Sequence, residues 1–222
     1  MNNEIMIDLK TSNNSITIPL KTLSHTIVFG ATGSGKSNFL HMLVTSLVKN
    51  YSSNEMKLSL IDPKYVEFNM YKSLPHLLFP LARTSNEIKH LLKICAENTK
   101  HQHSYSHIII IDELAELTYD EDIVSTLVYL LNKGSKSNIY LVMATQRPDL
   151  IPPQIISKTN TQICFPIDSD KLPSTLAKET KSKQIKSHGE MIFVNGKTKA
   201  HIQTTYITQS IISDAVNNFK TN

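Results

Sequence analysis

Apolar residues along this chain follow two rhythms. Short runs rich in apolar residues predict strands over residues 26–29, 57–62, 107–112, 139–145 and 161–165, with shorter extended elements over 15–20 and 76–81. Between them, apolar side chains recur every three or four positions. Leu40, Leu43, Val44 and Leu47 predict a helix from 36 to about 49. Ile88, Leu91, Leu92 and Cys95 predict one over 85–99, and Ile123, Leu127, Leu130 and Leu131 mark a third. The run His107-Ile-Ile-Ile-Ile-Asp112 is apolar at every internal position, as in a parallel strand covered on both faces. Strands alternating with helices predict an α/β fold with a mostly parallel central sheet flanked by helices. The tail differs. Residues 191–194 and 200–206 flank Asn195-Gly196, a hairpin signal, and 209–219 read as a closing helix.

The 222 residues are enough for one substantial core and cramped for two. One domain over 1–222 is expected, with an extended segment over 1–24 and the hairpin and helix over 187–222. Hydrophobic residues at 40% and charged residues at 19% exclude a disordered chain or a coiled coil. No apolar run approaches the roughly 18 residues of a membrane span, and the polar start lacks a signal-peptide profile, so a cytoplasmic location is expected. Cys95 and Cys164 follow apolar residues and have no partner at zinc or redox spacing, which predicts buried free thiols. A net charge of +4 permits a polyanionic partner without demanding one. Of the 23 basic residues, only Arg83 and Arg147 are arginines. The lysine-rich stretch 178–186 predicts a surface loop, either solvated or touching a ligand.

Candidate chemistry lies at the C-terminal ends of the predicted strands. Gly30-Ala-Thr-Gly-Ser-Gly-Lys-Ser37 fits G-x-x-x-x-G-K-[ST] between a strand and a helix, where backbone N–H groups can cradle a phosphate. Lys36 is placed for β- and γ-phosphates and Ser37 for Mg²⁺. Nucleotide contacts are expected from Gly30, Ala31, Thr32, Gly33, Ser34, Gly35, Lys36, Ser37 and Asn38. Asp112-Glu113 ends the four-isoleucine strand, where ligands bind in open α/β sheets. Asp112 suits an outer Mg²⁺ role and Glu113 the activation of an attacking water. Gln146, in Ala-Thr-Gln-Arg-Pro148, reads either as a nucleotide-state sensor or as a polar strand terminus before a proline. Ile61-Asp-Pro-Lys64 is a polar strand exit.

In series, GATGSGKS, IDPK, IIIIDELAEL, LVMATQRP, TNTQICFPIDS and HGEMIFV closely resemble the motor domain of the FtsK/SpoIIIE DNA translocases, within the FtsK-HerA superfamily. The resemblance runs from about Ile18 to the closing helix. It implies a RecA-like P-loop ATPase that uses ATP and Mg²⁺, assembles as a homo-oligomeric and usually hexameric ring, and moves along DNA. Lys36 and Ser37 then become nucleotide and Mg²⁺ contacts, Asp112 a Mg²⁺ residue, Glu113 the general base and Gln146 the sensor. Lys158 becomes a candidate DNA contact.

The chain departs from the family pattern in two ways. It carries neither the family's amino-terminal membrane segments nor its carboxy-terminal winged-helix module, so a bare motor is expected. The family's arginines also align with Ser135, Gln162, Pro166 and Ser174, so the neighbour-supplied arginine of such rings is missing there. Lys136 acting in trans is the preferred substitute; Lys133, Arg83, Arg147 or simply slow hydrolysis are the alternatives. The expected function is DNA translocation for a plasmid, phage or other mobile element. A helicase, a protein-secretion ATPase and a partner-switching P-loop protein are the competing readings.

Overall fold

The computed structural model describes residues 6–11, 15–168, 172 and 187–219. The lysine-rich stretch 178–186 and Ser174 lie outside the described residues. Seven strands form one sheet in the order β4-β5-β6-β3-β7-β8-β9. They are β3 (His25–Phe29), β4 (Met56–Ile61), β5 (Ser106–Ile111), β6 (Ile139–Thr145), β7 (Thr161–Cys164), β8 (Glu190–Asn195) and β9 (Thr198–Gln203). The first five in that order run parallel, and β8 and β9 join antiparallel. A separate two-stranded ribbon, β1 (Met6–Lys10) with β2 (Ser15–Pro19), occupies the amino-terminal segment.

Side-chain alternation in the strands assigns each to two cores. In β5, Ile108 and Ile110 pack with one apolar cluster while Ile109 and Ile111 pack with the other. The first cluster is built on α1 (Lys36–Asn50), α5 (Gln209–Asn217) and the β1–β2 ribbon. The second is built on α2 (Ser85–Asn98), α3 (Glu121–Lys133) and the short α4 (Pro153–Ile156). Burying each large aliphatic side chain is worth roughly 1.5–3 kcal/mol, so a strand apolar at every position is stable only between two helical layers. Local signals set the helix starts. Thr84 and Glu87 form a reciprocal capping box on α2, and the Asp120 carboxylate accepts from the Ile123 amide at 3.3 Å to cap α3.

The expected short strand over 76–81 is corrected. This segment makes only isolated bridges to β4, Leu58 with Leu77 and Ile61 with Ala82. Its amides and carbonyls still line the outer edge of β4: Leu58 N–H donates to His76 O at 2.8 Å and Leu78 N–H to Leu58 O at 2.8 Å. Pro80 has no N–H to continue the ladder, which breaks the pairing in two. The hairpin forms with Asn195 opposite Thr198, and Gly196 takes φ 55° in its turn. Cys95 and Cys164 are buried and take part in no disulfide, and burial pushes the Cys95 thiol up to about 12. Among the described residues no helix is long and apolar enough to cross a membrane.

Two histidines are sealed in the sheet. His25 accepts from the Leu141 amide through Nδ1, and burial lowers it to about 4; His107 faces Ser59 Oγ at 2.7 Å and is lowered to about 3, again chiefly by burial. Both are neutral in the folded chain and take up protons on unfolding, with an unfolded value near 6.5. Their contribution to stability is complete above about pH 6.5 and falls as pH drops toward their folded values. Denaturant titration is expected to show a loss of roughly 3–5 kcal/mol between neutral pH and about pH 4.5, and the His25→Asn/His107→Asn chain a much flatter profile.

Candidate active site

The phosphate loop begins where β3 ends, and its shape depends on absent side chains. A Cβ on Gly30 would meet Ser34 Oγ and would lie 2.8 Å from Phe165 Cβ. Gly33 and Gly35 adopt φ 74° and 122°, which side chains disfavour. Gly35 also lies against the Phe165 ring and Gly189 Cα, where a Cβ would sit 3.0 and 3.1 Å away. The loop is tied to its surroundings by Ala31 N–H donating to Pro166 O at 2.8 Å and Gly189 N–H to Ser34 O at 3.0 Å. His188 Nδ1 lies 2.7 Å from Gly33 O and, facing a carbonyl, donates to it. Ser34 Oγ is buried without a partner among the described residues.

Lys36 folds across the loop, donating from Nζ to Ala31 O at 3.0 Å. Burial lowers its pKa, opposed by the charges of Glu113, Asp112 and Glu67, while Lys64 adds to the lowering. Ser37 Oγ donates to Glu67 Oε1 at 2.9 Å. Asn38 is occupied by structure: its amide donates to Thr205 O at 2.9 Å, and its oxygen accepts from Ile207 N–H at 2.7 Å. It thereby pins the segment after β9 to the start of α1. A cleft of about 290 Å³ opens between the loop and that segment, bordered by Lys36, Ser37, His188, Gly189, Thr204 and Tyr206.

Parallel pairing brings the next two motifs to the same end of the sheet. Asp112 follows β5, and its amide donates to Ile61 O at 3.0 Å. Its carboxyl is pushed up to about 7 by burial and by the charges of Glu67, Glu113 and Asp62, with Lys36 pulling the other way. Glu113 sits at φ 61°, a conformation uncommon outside glycine. That turn aims its carboxylate at β6, where Oε1 accepts from Thr145 Oγ1 at 2.9 Å and from the Gln146 amide at 3.1 Å. Lys64, from the IDPK turn, lies 3.4 Å from Oε2 and 3.5 Å from Glu116. The side chain of Gln146 reaches the phosphate loop, its Oε1 accepting from Thr32 Oγ1 at 2.6 Å.

Glu67 and Thr145 escape sequence reasoning as site residues, and Asp62 enters it only within the IDPK strand exit. Asp62 is fully buried and accepts from the amides of Val66, Glu67 and Phe68, so it shapes the loop that presents Glu67. Glu67 in turn meets His41, and hydrogen bonding to His41 is the largest cause of its lowered pKa. Thr145 anchors Glu113. Asp62 had a usable signal, an aspartate ahead of a proline turn; Glu67 and Thr145 had none beyond being polar near a strand end.

The remaining candidates lie elsewhere. Lys133 and Lys136 are exposed at the end of α3 and in the turn before β6, and Lys158 precedes β7. All three sit at the opposite end of the sheet from the phosphate loop. Lys158 Nζ donates to Asn132 Oδ1 at 2.7 Å. Arg83 stacks over the Tyr65 ring at 5.2 Å and donates to Asn69, whereas Arg147 is exposed beside Gln146.

Hydroxyl and carboxylate oxygens around Ser37 and Asp112 fit a hard divalent cation, and three nearby acids raising Asp112 mark a position where positive charge is favoured. Among the described residues no group of three or more His, Cys, Asp or Glu side chains forms a ready-made metal cage.

This arrangement defines the RecA-like class of P-loop folds: a phosphate loop on a central parallel strand, β3, with the acidic pair at the end of β5, one strand removed across β6. Residues 1–105 match the family model described as FtsK/SpoIIIE family. It is 29% identical over 97% of its length to the DNA translocase FtsK of Staphylococcus aureus (strain Mu50 / ATCC 700699), of which it spans 32%. The chain thus covers about a third of the curated relatives it matches. Among solved structures it is similar to the pCW3 conjugation coupling protein TcpA, monomer form with ATPγS (TM-score 0.78, 22% identity, covering 98% of this chain and 71% of that one). It is also similar to the cytoplasmic domain of the Thermomonospora curvata Type VII secretion ATPase EccC (TM-score 0.77, 16% identity, 97% and 31%).

Gly30→Ala is expected to cost about 1–3 kcal/mol in denaturant titration, because the new methyl group meets Ser34 and Phe165. Gly196→Ala, with nothing within 4 Å of its Cβ, is expected to pay only for its positive φ.

Proposed function

We propose that this chain is a single ATP-hydrolysing motor domain that moves DNA. The observation that carries the proposal is the hydrogen-bonded link from Thr32 of the phosphate loop through Gln146 to Glu113. A residue joined at once to the phosphate loop and to the catalytic carboxylate is placed to report nucleotide state to the hydrolytic group. In this reading the loop amides and Lys36 hold the triphosphate, and Glu113 accepts a proton from the attacking water. Ser37 and Asp112 would hold Mg²⁺, which when bound neutralises charge on phosphate oxygens. Thr145 and Lys64 aim Glu113 by occupying both its oxygens.

Similarity to a DNA translocase and to a conjugation coupling protein supports DNA as the track. Contact through lysines to phosphates would make binding fall steeply with salt. A role for Lys158 on DNA requires release of its bond to Asn132. A homo-oligomeric ring, hexameric by family resemblance, accommodates Lys136 as a trans-acting charge, since it lies at the sheet end opposite its own phosphate loop. Service to a plasmid, phage or other mobile element completes the reading. The likeness to EccC supports a second reading, an ATPase that drives protein export.

Steady-state ATPase assays with and without duplex and single-stranded DNA separate the two. Stimulation by DNA is expected, and its absence with both forms would refute the DNA-motor reading. Lys36→Ala and Glu113→Gln are expected to lower turnover by at least about a hundredfold, with Glu113→Gln retaining nucleotide. Lys136→Ala is expected to slow the assembled ring while sparing nucleotide binding; an unchanged rate, with Arg83→Ala or Arg147→Ala inactive, identifies an arginine instead.

A further inference from the structure

We infer that Glu67 is a positioning residue for the Mg²⁺-nucleotide complex, acting by orienting the Ser37 hydroxyl. The inference rests on the nucleotide-binding reading above. A serine hydroxyl has one proton and two lone pairs. To ligate a cation it must present a lone pair, and its proton must then be accepted from another direction. Ser37 gives its proton to Glu67 Oε1 at 2.9 Å, so the hydroxyl's rotation is set from outside the phosphate loop.

Glu67 is itself fastened. Its other oxygen lies 3.3 Å from His41 Nε2, and His41 Nδ1 lies 2.9 Å from the Tyr71 hydroxyl. Ser37 and His41 stand one turn apart on α1, so a single carboxylate bridges both. Asp62 fixes the backbone beneath it through the Glu67 amide at 2.9 Å. Tyr71 is fully buried, and the His41 side chain is only 11% exposed. The relay therefore runs from the protein core to the hydroxyl. Outer partners of metal ligands act in this way, fixing a ligand's direction and raising its basicity.

A simple structural clasp between α1 and the loop would stabilise the fold equally with or without metal, and this separates the two roles. The test is equilibrium binding of a fluorescent ATP analogue to the full chain, with Mg²⁺ titrated and, separately, with excess EDTA. Glu67→Ala is expected to weaken the Mg²⁺ half-saturation about tenfold to a hundredfold, with Mg²⁺-free affinity within about twofold of the parent chain. Glu67→Gln, which keeps an acceptor oxygen of the same reach, is expected to recover most of the loss. On a Ser37→Ala background, Glu67→Ala is expected to add nothing.

An unchanged Mg²⁺ titration for Glu67→Ala overturns the inference. So does an equal loss in Glu67→Gln, which would mean that charge and not the hydrogen bond matters, or a parallel loss with and without Mg²⁺, which would mean a clasp. Glu67→Met replaces the alanine variant if that chain does not fold. If the parent chain binds no nucleotide in either condition, it is the nucleotide-binding reading that fails.

Discussion

The site depends on where β3 sits in the sheet. Its pairing with β6 on one side and β7 on the other places the phosphate loop between chain segments more than a hundred residues away. Because β4, β5 and β6 run parallel to it, their exits open at the same end as Gly30. No local sequence preference could gather Ser37, Glu67, Asp112, Glu113 and Gln146; the register of the strands does. Covering both faces of those strands with helices is what makes an uninterrupted apolar strand stable, so the core and the site share one cause.

Within that gathering, the balance of charge is tight. Glu67, Glu113 and Asp62 press on Asp112, Lys36 answers from the phosphate loop, and Lys64 of the IDPK turn pairs with Glu113. Burial alone would favour a neutral Lys36 and a neutral Asp112, while their proximity to each other favours charge on both. Opposed tendencies of this kind leave Lys36 and Asp112 sensitive to what else enters. In the proposed function a triphosphate adds negative charge and a divalent cation positive charge, so entry of the two together disturbs this balance least.

Much of this was legible in the chain itself, for physical reasons. The strand ahead of Gly30, the helix from Lys36 and the acids after Ile111 rest on short-range patterning and on glycine conformations that few other residues tolerate. The segment at 76–82 was harder, since Leu77, Leu78 and Leu81 carry a strand-like pattern while Pro80 withholds a donor needed for continuous pairing. The link from Ser37 to Glu67 was out of reach. It joins α1 to the loop after β4, and nothing at either position announces the other. Asn38 shows the reverse difficulty, since its place next to Ser37 suggests the nucleotide, yet its side chain is committed to Thr205 and Ile207.

The broken segment beside β4 has a consequence for how copies of this chain can associate. By occupying backbone groups along that margin of the sheet, it leaves little for an incoming strand to pair with, and its proline discourages further addition. Continuous cross-chain β-pairing is blunted on that side. A neighbour meeting this chain there would do so through side chains and loops, contacts that can loosen and re-form without unravelling a ladder.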